Sequence, residues 1–379
     1  MNRNPITYFP LLLLIVSLCT GAQSFASGKQ SNEELEELVA KAQEYVYSNP
    51  RKLDSLVHVI ENRSLAQGDS SYFATVRSLQ GIRATMQNDY GPALKYFYDV
   101  WKRSKRIKDT NTQIAALMNM SGVCQMSGRY RDAKGRLQLA LELTKDRNGL
   151  DEAQILMAIG MAEVELNQFD SAITNFKLAV KIFDRQEEEP YMLSCMSELG
   201  YALESQHMYR EALDIYKRMD VLYQFTNDAT GKIVVNQRRG HTLMHLGRMK
   251  EAVEALEYSL VLSDSMQYEN QLDSTLLRLV KANAALGNIG GAEKYTKRLM
   301  AYIKEREFKK NQELIAFVEA KYNLEEKSRV NDSLASELKA ARADLSKTQL
   351  YLRFSIAALV VLFLSILVMF KRLGTVRHP

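Results

Sequence analysis

Residues 200–216 read GYALESQHMYREALDIY, and the alternation of small and large side chains in this stretch recurs along most of the chain. Gly200 and Ala212 are small and stand twelve residues apart; His207 precedes the alanine by five, and Tyr216 follows it by four. Outward from here, Ala93, Ala133, Ala172, Ala212, Ala252 and Ala292 are spaced by 40, 39, 40, 40 and 40 residues. Twelve residues before each stand Gly81, Ser121, Gly160, Gly200, Gly240 and Val280, so only the last copy lacks a small residue there. Two small positions in constant register predict two helices whose backbones approach where neither carries bulk. Asn88, Gly128, Asn167, His207, Gly247 and Gly287 each lie five residues before the alanine. Gly and Asn tolerate the left-handed conformation that ends a helix, so these positions predict the turn. The gap left by the small residues is expected to be filled by Phe97, Leu137, Phe176, Tyr216 and Leu256, each four residues after an alanine.

From Thr75 to Lys304 this pattern resembles the tetratricopeptide repeat, a helix-turn-helix unit with small residues near its eighth and twentieth positions and a period of about 34. The resemblance implies an all-α superhelix of about six hairpins over residues 71–304. The period here is longer, and since the small-to-Ala interval stays at twelve, the extra residues are expected between one second helix and the next repeat, as in 181–190. Residues 27–70 read as a degenerate N-terminal helical cap, opened by a Ser31 to Glu34 capping box and broken at Asn49 and Pro50.

Both ends of the chain predict export and anchoring. Arg3 followed by the apolar run Leu11 to Cys19 reads as a signal peptide over residues 1–26, with cleavage after Ala22 or Ala26. Phe354 to Phe370 is seventeen residues without a charge, about 25 Å of helix, and predicts a transmembrane helix over 353–371. Lys371, Arg372 and Arg377 follow it, which places the short tail 372–379 in the cytoplasm and the repeats in the periplasm. The net charge of +5 in 379 residues is mild and interspersed, which argues against a nucleic-acid partner. Cys124 and Cys195 lie two repeats apart and read as small core residues.

Gly is absent between Gly291 and Gly374, which predicts a long helix with a stalk over 305–352. Phe317, Ala320, Leu324, Lys327, Asn331, Leu334, Leu338, Ala341, Leu345, Thr348 and Leu352 alternate spacings of three and four, a coiled-coil seam. Asn331 at a core position and the flanking Glu337 and Arg342 favour a parallel homodimer over a single stalk packed on the last repeat. Residues 319–327, lying between hairpins and a membrane helix, make the chain resemble the periplasmic sensor half of Bacteroidetes-type repeat-containing membrane regulators. Those regulators continue into a cytoplasmic output domain, whereas nine residues follow Phe370 here.

No phosphate loop, paired Cys-x-x-Cys or nucleophile elbow occurs, so neither an enzyme nor a cofactor is expected. His241 and His245 lie one helical turn apart, but they read as polar groove residues and no metal is assigned to them. The repeat resemblance implies a concave binding groove on the first helix of each hairpin. Carried onto this sequence, it comprises Met126, Met157, Met161, Glu165, Ser197, Tyr201, Glu204, Gln237, His241, Met244 and His245, with Met86, Met118 and Gln125 at related positions. Methionine suits adaptable recognition of a peptide or protein, the expected partner. The alternatives are a structural tether without a groove ligand and a sensor lacking its output domain.

Overall fold

The computed structural model describes residues 33–66, 72–145 and 149–374. The described residues form fourteen helices: α1 (Glu33–Ser48), α2 (Pro50–Ala66), α3 (Phe73–Met86), α4 (Tyr90–Ile107), α5 (Thr110–Met126), α6 (Tyr130–Leu143), α7 (Gly149–Glu165), α8 (Phe169–Arg185), α9 (Glu189–Ser205), α10 (Tyr209–Gln224), α11 (Ala229–His245), α12 (Met249–Met266), α13 (Leu272–Ala285) and α14 (Ile289–Gly374). The chain divides into two compact units, one ending at Thr296 and one beginning at Lys297.

In the first unit successive helices pair as hairpins, and each hairpin packs on the next. The predicted turns are all left-handed: φ is 60° at Asn88, 57° at Asn167, 59° at His207, and between 70° and 74° at Gly128, Gly247 and Gly287. The predicted contact between small and large residues is present as well. A Cβ built on Gly160 would lie 2.7 Å from the Phe176 ring, and one on Gly200 would lie 2.5 Å from the Tyr216 ring. Gly81 meets Phe97 and Gly240 meets Leu256 in the same way. Ala93, Ala133, Ala172, Ala212 and Ala252 are fully buried beneath these contacts. Each buried aromatic contributes roughly 1.5–3 kcal/mol by leaving water, so the core is a chain of similar contacts rather than one centre.

Three features differ from expectation or extend it. The additional residues of the long period extend the helices, since α8 runs to Arg185 and only residues 186–188 link it to α9. Helix termini without a proline or glycine stop continue because each added turn satisfies its own backbone groups. Asp109 and Asp228 cap α5 and α11, accepting from the amides of Thr112 at 3.2 Å and Gly231 at 2.8 Å. Cys124 and Cys195 are unpaired and buried, and burial pushes the Cys195 thiol well above its ordinary pKa.

The N-terminal hairpin buries Leu35, Ala42, Val46, Leu53, Val57 and Ile60, and α2 starts at Pro50, where the sequence predicts a break. The Ser31 capping residue and the signal expected over 1–26 lie outside the described residues.

In the second unit every described side chain from Lys304 to Leu350 is exposed, including Phe317, Leu334, Leu338 and Leu345 of the heptad seam. Lys309 and Glu305 pair at 3.0 Å along this helix. Among the described residues no helix is long and apolar enough to cross a membrane. The expected transmembrane helix thus gains no support, because the side chains of 351–374 lie outside the described residues.

Candidate functional site

The first helices α9, α11 and α13 stand side by side in the stack and bring several predicted residues together with others that the sequence did not single out. Glu204, near the end of α9, is buried and faces α11. Its Oε1 accepts from the Thr242 hydroxyl at 2.6 Å and lies 3.4 Å from His241 Nδ1. Its Oε2 accepts from Arg238 Nη1 at 3.3 Å. Burial acts to raise the Glu204 pKa, but the His241 and Thr242 hydrogen bonds and the Arg238 charge outweigh it, and the carboxyl stays below its ordinary value.

Around this carboxylate the surface is aromatic and basic. The Arg238 guanidinium lies over the Tyr201 ring at 5.2 Å. His245 Nε2 is 3.2 Å from His241 Nε2, and the His245 ring stacks on Tyr209 at 4.4 Å with 4° between planes. Tyr209 in turn bonds His207 at 2.9 Å. Partial burial and the neighbouring His241 lower the His245 pKa. Beneath the cluster, Tyr216 fills the space over Gly200, and its buried hydroxyl has no hydrogen-bond partner. Among the described residues no three metal-ligating side chains converge.

The predicted groove is therefore uneven. Tyr201, His241 and Met244 are half-buried and His245 is exposed, so the fourth and fifth hairpins carry them at the surface. Met126, Glu165 and Ser197 are half-buried elsewhere along the first helices. Met157, Met161 and Gln237 are buried, at 1%, 4% and 3% exposure, as are Met118 and Gln125. The methionines pack between hairpins because α7 is flanked closely by α6 and α8, and nearly all of its surface is inside.

A second buried carboxylate escaped the sequence reading. Glu163 on α7 is held by Lys134 Nζ at 2.8 Å, by the Ser171 hydroxyl at 2.6 Å and by Asn175 Nδ2 at 2.7 Å. It ties α7 to α6 and α8. The signal was present in the run ILMAIGMAEVE (155–165), where the first acidic residue sits in an otherwise apolar helix and needs a partner.

The sequence profile described as tetratricopeptide repeat matches residues 153–184 and 234–260, spanning the α7–α8 and α11–α12 hairpins. The chain carries tetratricopeptide repeats. The fold is shared with solved structures of low identity. The apo form of RapI superposes with a TM-score of 0.61 at 12% identity, covering 70% of this chain and 75% of that one. Aspartyl phosphate phosphatase F from Bacillus subtilis gives a TM-score of 0.54 at 13% identity, covering 81% and 86%. BtubC from P. vanneervenii gives 0.51 at 17%, covering 63% and 94%. At such identities the likeness speaks for the helical-repeat architecture alone. No curated protein sequence matches the chain.

Proposed function

We propose that the chain is a peptide- or protein-recognition module, exported and held at a bacterial inner membrane, with its ligand lying along the first helices of the fourth and fifth hairpins. The observation that carries this reading is the juxtaposition of Tyr201, Arg238, His241 and His245, partly exposed and positioned by a buried carboxylate on a rigid repeat scaffold. Recognition sites combine aromatic surface with a few fixed polar groups in this way. Export and anchoring rest on the sequence at 1–26 and on the uncharged stretch 354–370 with Lys371 and Arg372 after it. The exposed seam through Leu334, Leu338 and Leu345 supports pairing of two stalks.

A tether reading has its own observation. Leu139, Leu178 and Tyr258 occupy equivalent positions on second helices, each six residues after a repeat alanine, and all three are exposed. Photo-crosslinking of the full chain in membranes separates the two. With a benzophenone side chain at position 201 or 245, a recognition module yields a discrete polypeptide adduct that the same probe at position 178 does not. Adducts at 178 alone would replace the recognition reading with the tether.

A further inference from the structure

The two arginines that follow one another in consecutive repeats are unequally partnered. Arg238 and Arg278 stand 40 residues apart, two residues before Gly240 and Val280 at the same place in their first helices, so the repeat symmetry places them as neighbours on α11 and α13. Lys281 repeats the position of His241 in the same way and is exposed. Arg238 pairs with Glu204 and lies over the Tyr201 ring, which leaves some of its five donors open. Glu204 takes Arg238 on one oxygen and Thr242 and His241 on the other, so its carboxylate is held on α11 and reaches Arg278 through charge alone. Among the described residues Arg278, half-buried on α13, has no hydrogen bond or ion pair.

We infer that Arg278, together with Arg238 and Lys281, forms a subsite for carboxylate side chains of an acidic segment in a partner polypeptide. A guanidinium presents five donors in a planar fork suited to carboxylates, and a partly buried one without a partner gains most from meeting an anion. Burial and the Arg238 charge hold the Arg278 pKa below its ordinary value, the condition that an arriving anion relieves. Glu204 and Asp273 are the acids that oppose this effect, and Glu204 is already committed to α11. The rims are aromatic, with Tyr201 under Arg238 and Tyr209 stacked on His245, so backbone and methylene groups beside the carboxylates find apolar surface. Charge complementarity identifies the occupant: an acidic stretch fits, and a basic one meets repulsion.

This inference rests on the recognition reading and specifies the chemistry of its ligand. The test uses the full chain and two fluorescent probes of equal length, oligoglutamate and oligoglutamine, followed by anisotropy. Oligoglutamate binds and oligoglutamine does not, and Arg278→Gln weakens oligoglutamate by about tenfold or more. Arg278→Lys, which keeps the charge and loses the fork, falls between wild type and Arg278→Gln. Raising the salt weakens wild-type binding, a measurement that stands even where a substitution lowers the melting temperature. Equal binding of the two probes, unchanged affinity in Arg278→Gln, or indifference to salt overturns the subsite. An adduct at position 201 without oligoglutamate binding would leave recognition standing and remove only its acidic chemistry; oligoglutamate binding without that adduct would do the reverse.

Discussion

Helices α7 and α11 hold the same place in their hairpins yet differ in almost everything except one contact. In α7 every residue from Ala153 to Val164 is buried, whereas α11 carries Arg238, Arg239, His241 and His245 at partly or fully exposed positions. Both share the close approach of a glycine to a large side chain, Gly160 with Phe176 and Gly240 with Leu256. The comparison teaches that the fold is held by that contact and the turn before it. The rest of each first helix is then released either to fill the core or to face solvent.

Removing the shared contact should produce the largest effect in either hairpin. Phe176→Ala leaves a cavity over Gly160 and is expected to cost about 3–5 kcal/mol, and Leu256→Ala about 2–5 kcal/mol, by chemical denaturation. If one were nearly silent, the common contact would not be what holds both hairpins.

Polar changes should separate the two regions. Glu204→Gln leaves Arg238 without its carboxylate and is expected to lose roughly 1–3 kcal/mol. Since the folded pKa of Glu204 is lowered, its contribution is present above the ordinary value of 4.5 and is lost as pH falls through the folded value. The Gln variant should therefore show a flatter melting profile in acid than wild type. His245 has a lowered folded pKa too, so its neutral form favours the fold above pH 6.5, and the benefit fades as pH falls through the folded value. A small drop in melting temperature on acidification below that pH, absent in His245→Gln, is the expected signature.

The smallest effect is the most diagnostic of the scaffold. Tyr216→Phe removes a buried hydroxyl that has no partner and leaves the ring over Gly200 in place. It should be neutral or stabilising by less than about 1 kcal/mol. A clear loss would reveal a role for that hydroxyl beside Glu204 and Arg238.

Most of the scaffold was legible in the sequence because its determinants are local and repeated. Six turn positions took the left-handed conformation, His207 among them, and the large residues four after the first five alanines are buried as expected. The polar network was less legible. Glu163 finds Lys134 29 residues earlier and Asn175 twelve later, and Glu204 finds Arg238 34 residues on, distances that only the stacking of hairpins closes. The methionines misled for the same reason: whether Met157 faces solvent or a neighbouring helix depends on how tightly adjacent hairpins close, which no single repeat encodes.

The constant register between glycine, left-handed turn and large residue makes the hairpins interchangeable cassettes. Deleting residues 161–200 would splice the first twelve residues of α7 to the last five of α9, with Gly160 still twelve residues before Ala212 and sixteen before Tyr216. A chain shortened by one hairpin could thus close the same contacts in phase, and lengthening by duplication obeys the same arithmetic. Reach along the array is in this sense an adjustable property, tuned in steps of forty residues without redesigning any one joint.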